Sequence, residues 1–151
     1  MPQASQLAEI FAVLCCGLFS GAALYVNWVE HPARMECGTP LAATEFGPSY
    51  RRAARLQALL AVLGSLAAML VWIRGGSVAW LWGAVLFFSV VPYTLLVILP
   101  TNKQLLDSSL DRSSERAHAL LVRWSRLHAV RTVVSLAALI LFLWLIVVSG
   151  K

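Results

Sequence analysis

Hydrophobic positions along the chain fall into four long runs that are separated by polar connections. The runs cover residues 7–27, 55–73, 78–99 and 129–148. Each is close to the roughly 17–25 apolar residues that a helix needs to cross the hydrocarbon core of a bilayer. The pattern therefore predicts an all-α fold, an integral membrane four-helix bundle that forms a single domain over residues 1–151.

The three connections differ in length and charge. Residues 74–77 ("RGGS") allow only a tight link between antiparallel neighbours, whereas residues 28–55 and 101–131 are long and charged. This order predicts an up-down-up-down bundle. We expect both long connections to be partly helical, so that the second and fourth helices extend beyond the membrane on the inner side.

Local signals suggest where these helices start and how closely they pack. Gly47 and Pro48 predict a turn before the second helix, and the Ser113–Ser114–Glu115 sequence resembles a capping box before the fourth. In the first run, Gly17 and Gly21 form a G-x-x-x-G pattern, which is typical of close helix packing in membranes.

Composition and charge give the orientation. Apolar residues make up 60% of the chain and charged residues 13%, against about 45–50% and about 25% in soluble domains. The two long connections carry ten of the twelve basic residues. The positive-inside rule then predicts an inner or plasma membrane protein with both termini on the non-cytoplasmic side.

The same charge pattern limits the partners. The net charge of +5 reports topology in this setting, so we expect the lipid bilayer as a partner and no nucleic acid. Three cysteines, two of them adjacent at Cys15 and Cys16, make no disulfide framework. Association into a homo-oligomer stays open.

Polar residues collect where all four predicted helices approach the inner face. Each helix contributes some of them: Asn27, Glu30 and His31 from the first, Tyr50 and Gln57 from the second, Tyr93 and Asn102 from the third, and Trp124, His128 and Arg131 from the fourth. Polar groups near hydrocarbon are costly unless they find partners or face water. We therefore expect an inner-leaflet pocket lined by these side chains.

Each of these residues also has a purely structural interpretation. Glu30 and His31 could end a helix in water with Arg34 as a local partner. Arg131 could reach the interface or pair with Glu30, and Trp124 could be an interfacial anchor.

Two chemistries are open to the pocket. In one, His31, His128 and Glu30 bind a metal ion, since two imidazoles and a carboxylate are the ligands of open iron and zinc sites. In the other, a histidine acts as a general base and Arg131 or Asn102 stabilises the resulting anion, with O2 used without a cofactor. The remaining candidates would bind substrate: Asn27, Tyr50, Gln57, Tyr93 and Trp124.

Three polar motifs carry a family resemblance. "EHPAR", "LPTNKQL" and W-x-x-x-H-x-x-R occur in the stretches "GLFSGAALYVNWVEHPAR", "VVPYTLLVILPTNKQL" and "RWSRLHAVR". Together they resemble the anthrone oxygenase-like membrane proteins over about residues 14–143. The resemblance implies oxidation of an anthrone to an anthraquinone with O2, the reaction described for fungal polyketide members, while many bacterial members have no assigned substrate.

The sequence thus favours a membrane-embedded oxidoreductase that acts on an apolar aromatic or quinone-like small molecule. The alternative is a non-catalytic binding or accessory protein for a lipid, a quinone or a metal. A transporter is disfavoured because we find no inverted repeat.

Overall fold

The structure, a computed structural model, describes residues 2–149, and the side chains of residues 5–148. These residues form four long helices and no strand. Helix α1 comprises Pro2–Tyr25, a π-helical turn at Val26–Glu30, and His31–Glu36, and α2 is Thr39–Ile73. Helix α3 comprises Val78–Phe88, Val90–Tyr93, a π-helical turn at Thr94–Ile98, and Leu99–Leu105, and α4 is Glu115–Ser149.

All four helices are long and apolar enough to cross a membrane, which confirms the predicted all-α bundle. They are also longer than the predicted spans. Helices α2 and α4 each have 35 residues, about 50 Å at about 1.5 Å per residue. Helices α1 and α3 also continue past their predicted ends, to Glu36 and Leu105. The position of these ends relative to the bilayer stays a prediction.

Two glycines allow neighbouring helices to approach closely. A Cβ atom at Gly64 of α2 would lie 2.8 Å from Cys15 of α1 and 2.8 Å from Phe87 of α3. A Cβ atom at Gly83 of α3 would overlap the ring of Phe142 in α4. At these points the helices touch with no space for even one methyl group.

The prediction for Gly17 and Gly21 is wrong. A Cβ atom at Gly17 would make only an ordinary contact, 3.8 Å from Leu139, and one at Gly21 would meet nothing within 4 Å. The sequence pattern of small residues was present, but Gly21 lies on the exposed surface of α1.

The bundle contains two hydrophobic clusters at different levels. We call the first the closed half: it is built around Phe19, Trp80, Phe87 and Phe142. Trp80 stacks on Phe142 and Phe19 meets Phe87 edge-on, each pair with ring centroids 5.3 Å apart. We call the second the open half: it is built around Phe46, Ile98, Leu121 and Trp124.

The predicted Gly47–Pro48 turn is wrong, because α2 runs through Pro48 without interruption. Proline removes one backbone hydrogen bond inside a helix. Against that cost, the segment before Pro48 buries Ala42, Ala43 and Phe46 in the open half. We attribute the continuous helix to this packing, since tertiary burial routinely outweighs local propensity.

Helices α1 and α3 each widen into a π-helical turn directly before a proline. The His31 N–H bonds to the Val26 carbonyl, five residues back, and Pro32 follows. The Leu99 N–H bonds in the same way to Thr94, and Pro100 follows. A proline ring clashes with the carbonyl four residues back, and the wider turn relieves that clash.

Short polar turns lead into α4. The Ser114 hydroxyl accepts a hydrogen bond from the Ala117 N–H at 3.2 Å, so Ser114 caps the helix as predicted. Because Ala117 has no carboxylate to return the bond, the reciprocal half of a capping box is missing. Ser113 instead bonds to the Asp111 carboxylate, and this holds the pKa of Asp111 below its usual range.

Candidate functional site

A cavity of about 170 Å³ lies in the open half and extends to the edge of the closed half at Phe19, and residues of all four helices line it. Six of the ten predicted site residues are on its walls: Tyr50, Gln57, Asn102, Trp124, His128 and Arg131. The other four lie outside the lining: Asn27, Glu30, His31 and Tyr93. The ten predicted residues therefore form two groups: six that line the cavity and four that lie outside its wall.

Asn27 orients the His128 imidazole through a hydrogen bond at Nδ1. Its Oδ1 atom is 2.6 Å from His128 Nδ1 and accepts a hydrogen bond from the Thr132 hydroxyl at 2.7 Å. Its Nδ2 atom donates to the Ser125 carbonyl at 3.2 Å, which sets the orientation of the amide. Because Oδ1 is only an acceptor, the proton of the neutral imidazole lies on Nδ1 and His128 Nε2 is left as the basic nitrogen.

Arg131 is a buried cation without an anionic neighbour. Its Nη2 donates to Gln57 Oε1 at 2.6 Å, and its guanidinium lies 5.0 Å from the centre of the Phe19 ring. Both ion pairs within the described part of the chain belong to Arg34, not to Arg131. The predicted alternative in which Arg131 pairs with Glu30 is therefore wrong. The cavity wall carries an uncompensated positive charge, which favours an anionic or strongly polar oxygen in the cavity.

Asn102 brings unused hydrogen-bonding groups to the same cavity. The residue is 1% exposed, and its amide nitrogen and oxygen have no partner among the described residues. The adjacent Thr101 hydroxyl is buried and equally unpaired. Buried amides are normally satisfied, so Asn102 carries an unpaired donor and an unpaired acceptor at the cavity wall.

Aromatic rings connect the two histidines. Trp124 stacks on His128 with centroids 4.8 Å apart and contacts His31 at 5.3 Å. Phe46 meets Trp124 edge-on and stacks on Tyr50. Trp124 is therefore a buried wall of the cavity, and its predicted alternative as an interfacial anchor is wrong. His31 is also buried, which excludes the alternative in which it ends a helix in water.

Glu30 belongs to a separate polar group beside the cavity. Its carboxylate pairs with Arg34 and accepts a hydrogen bond from Ser49 at 2.9 Å. Arg34 also pairs with Glu45 at 3.0 Å. Helix α1 therefore supplies the local Arg34 partner that the sequence suggested for Glu30.

The predicted metal set is not assembled. No group of three or more His, Cys, Asp or Glu side chains arranged to hold a metal occurs within the described residues. His31 and His128 share the Trp124 ring, but the Glu30 carboxylate is engaged by Arg34 and Ser49. His31, His128 and Glu30 are therefore not arranged as a three-ligand site among the described residues, and metal binding there stays a prediction.

Two further residues of the site were not among the candidates. Arg34 lines the cavity with its side chain 5% exposed. Thr132 completes the hydrogen bonds around Asn27. Both had a usable signal in the sequence: Arg34 follows Glu30, and Thr132 follows His128, at the four-residue spacing that places side chains on one helix face.

Tyr93 contacts the backbone of α4 outside the cavity. Its hydroxyl donates to the Leu127 carbonyl at 3.3 Å, one residue before His128. This bond ties α3 to α4 near the base of the cavity. The contact makes Tyr93 a positioning residue and not a wall of the cavity.

Comparison with known proteins gives one match. The sequence model described as anthrone oxygenase matches residues 46–141, more than half of the chain. The matched region contains "LPTNKQL" and W-x-x-x-H-x-x-R but begins after "EHPAR", so it is shorter than the resemblance seen in the sequence. No curated protein and no solved structure matches the chain. With its four membrane-competent helices, the chain belongs to the anthrone oxygenase family.

Proposed function

We propose that the protein is a membrane-embedded oxygenase that oxidises a flat, apolar aromatic ketone bearing a doubly activated C–H bond, an anthrone-like molecule. The observation that carries the proposal is the placement of His128, a neutral imidazole oriented by Asn27, in the same cavity as the unpaired Arg131. Family membership supports the reaction class.

His128 is the proposed general base. With Nδ1–H directed at Asn27, its Nε2 lone pair is available to accept a proton. The Trp124 ring stacked on the imidazole restricts its rotation. Asn27 then acts as a positioning residue, because it sets the tautomer without touching the substrate, and Thr132 binds the same Asn27 oxygen.

Arg131 and Asn102 are the proposed binding groups for the substrate oxygen. Removing a proton from the CH2 group moves negative charge onto the ketone oxygen, because the two are conjugated through the aryl rings. A buried guanidinium and a free amide N–H stabilise such an oxyanion strongly because the cavity is shielded from bulk water. Gln57 holds Arg131 at 2.6 Å and so orients the guanidinium.

The reaction then balances with O2 as the only co-reactant. His128 removes one hydrogen of the activated CH2 as a proton, leaving an enolate. The enolate carbon forms a C–O bond to O2, which is reduced to a peroxide anion and takes the proton from His128. Loss of the second C–H proton to His128 breaks the O–O bond, gives the new ketone, and releases hydroxide, which His128 protonates to water.

The cavity walls suit the apolar body of such a substrate. Phe46, Tyr50 and Trp124 provide aromatic surface, and Phe19 lies at the opposite end beside Arg131. Flat rings stack well against such walls. Following the positive-inside rule, we place the cavity at the cytoplasmic end of the bundle.

The test is turnover by the protein in lipid vesicles with anthrone as the probe. We expect O2 uptake and formation of anthraquinone, read from its absorbance. The His128→Ala variant should lose about 10²–10⁴-fold in rate, the range for a general base. The matched control is His118→Ala, which removes an exposed imidazole of α4 outside the cavity and should leave the rate unchanged.

Two outcomes would contradict the proposal. Equal rates for the wild type and His128→Ala would exclude His128 as the base. Saturable binding of anthrone without O2 uptake by the wild type would instead support the alternative function, a non-catalytic binding protein for quinone-like molecules.

A further inference from the structure

We infer that the cavity opens sideways between α2 and α3 into the hydrocarbon of the bilayer, so that its ligand arrives from the membrane and not from water. The inference concerns the route of access to the cavity. It relies on the proposed function only for the identity of the natural ligand.

The mouth is defined by residues that are both part of the cavity wall and exposed. Ala58 of α2 and Leu95 of α3 have this property. Ala54 and Val91, also on the wall, are half-buried beside them. Deeper wall residues such as Ala61 are fully buried. The cavity therefore reaches the protein surface between these two helices.

The opening between α2 and α3 arises because these two helices pack closely over only part of their length. They are packed tightly where Gly64 meets Phe87. Helix α3 is then interrupted at Ser89 and widens at Thr94–Ile98. In this lower part α3 is held to α4 through the bond from Tyr93 to Leu127. The α2 side of the gap carries only methyl side chains, at Ala54 and Ala58, which leave it open.

The surface around the mouth suits hydrocarbon. Leu59 and Leu96, on either side, are 56% and 76% exposed. Contiguous exposed apolar side chains are costly in water and ordinary in lipid. Arg51, Arg52 and Arg55 are exposed on α2 just before the mouth. Such basic residues mark the headgroup level, which places the mouth immediately inside the hydrocarbon.

Polarity changes along the cavity in a direction that fits this route. The mouth is formed by alkyl side chains, while Asn102, His128 and Arg131 lie on the inner wall. A membrane-dissolved aromatic molecule with one polar oxygen would therefore enter oxygen first. Its apolar body would remain between the alanines of α2 and the valines of α3. This arrangement selects flat molecules, because bulky ones do not pass between two helices.

The inference can be tested without turnover, with a photoreactive naphthyl azide dissolved in the lipid of proteoliposomes. Glutathione in the water consumes any probe that leaves the bilayer. Mass spectrometry after illumination should find labelling at buried wall positions such as Gln57, Ala61 and Val90 as well as at lipid-facing residues.

Two matched variants locate the opening. In Ala58→Trp, the indole fills the mouth, and labelling of the buried wall should fall roughly tenfold, a factor equivalent to about 1.4 kcal/mol of added barrier. In Ala137→Trp, the same change is made at an exposed position of α4 away from the cavity, and wall labelling should be unchanged. Labelling of lipid-facing Leu59 reports whether each variant is folded and inserted.

The outcomes separate this inference from the proposed function. An unlabelled wall in the wild type, or equal wall labelling in Ala58→Trp and Ala137→Trp, would overturn the lateral opening. If Ala58→Trp fails to insert, Ala54→Leu, a smaller plug at the same mouth, gives the same comparison. Failure to oxidise anthrone while the wall is labelled would overturn the function and leave the opening intact.

Discussion

The half of the bundle around Trp80 and Phe142 and the half around Trp124 and His128 use aromatic rings in opposite ways. In the closed half, rings pack against one another between helices, and two glycines let neighbouring side chains lie directly against the helix backbone. In the open half, rings form walls around a cavity of about 170 Å³.

The difference extends to polar groups. In the open half, Arg131 has no carboxylate partner and the side-chain amide of Asn102 has no hydrogen-bond partner within the part of the chain that the structure describes. Each such group costs stability when buried. A protein keeps groups of this kind where function needs them. We therefore expect substitutions in the two halves to act on different quantities, stability in the closed half and turnover in the open half.

Of the substitutions that compare the two halves, Arg131→Met has the largest expected effect, a loss of activity without loss of stability. Arg131→Met removes the proposed oxyanion-binding cation, and turnover should fall about 10²–10³-fold, the range for one oxyanion donor. The free energy of unfolding should stay the same or rise, because an apolar side chain replaces an unpaired buried charge. Anthraquinone formation and unfolding in mixed micelles measure the two quantities.

The control for this change is Arg126→Met, at an exposed arginine of the same helix. It should alter neither quantity. A strongly destabilised Arg131→Met protein would contradict the comparison, because it would mean that Arg131 stabilises the fold in the way that the closed half does.

The second prediction concerns the closed half. Gly83→Ala places a methyl group against the Phe142 ring, on which Trp80 also stacks. Overpacking of this kind costs about 1–3 kcal/mol. We expect that loss in the free energy of unfolding, with the turnover of the folded fraction unchanged.

Gly21→Ala is the matched control, because a methyl group there meets nothing within 4 Å. It should be neutral or stabilise the helix by up to about 1 kcal/mol. Equal stability of the two variants would show that the closed half is not tightly packed at Gly83. Reduced turnover in folded Gly83→Ala would show that the halves are coupled.

The third prediction tests how the open half positions its base. Asn27→Ala removes the acceptor that holds the proton on His128 Nδ1. We expect both imidazole tautomers to be populated and turnover to fall about tenfold, a smaller loss than for direct removal of the base. The ¹⁵N chemical shifts of His128 report the tautomer directly.

The matched variant for this effect is Thr132→Val, which removes a hydroxyl from the same Asn27 oxygen but leaves the acceptor in place. It should keep the Nδ1–H tautomer. If the ¹⁵N shifts of wild type and Asn27→Ala coincide, Asn27 does not set the tautomer.

The sequence predicted the helices well because hydrocarbon imposes a simple rule on composition. Four apolar runs of nearly membrane-spanning length gave four helices. The prediction failed at the ends of these helices, where side-chain packing determines how far each helix extends. Gly47 and Pro48 look like a turn locally, yet the burial of Phe46 in the open half keeps the helix continuous.

The sequence identified the residues of the site better than it identified their arrangement. Asn102, His128 and Arg131 were identified because polar residues near hydrocarbon are rare and need a reason. The arrangement of the metal set could not be predicted, because its members come from two helices and the sequence does not show which groups their side chains contact. The π-helical turn at Val26–Glu30 changes which residues of α1 share a face, and Glu30 is directed to Arg34 while Asn27 reaches His128.

The smallest expected effect lies on the exposed connection before α4, and it tests how far the open half extends. The Ser113 hydroxyl and N–H bind the Asp111 carboxylate and lower its pKa. Ser113→Ala removes the hydroxyl, so the pKa of Asp111 should rise toward its ordinary value of about 3.9. A ¹³C NMR titration of the carboxyl group measures the change, and Ser109→Ala, which acts on Asp107, is the control.

The sign of the accompanying pH dependence follows from linkage. A carboxyl group with a lowered pKa in the folded state stabilises the fold above its unfolded pKa, and that contribution disappears as the pH falls through the folded value. The wild type should therefore lose this small contribution below about pH 4, whereas Ser113→Ala, which keeps only the backbone N–H bond, should have a smaller contribution. Because Asp111 and Ser113 are exposed and outside the cavity wall, turnover at neutral pH should be unchanged. A change in turnover would mean that this connection contributes to the function of the open half.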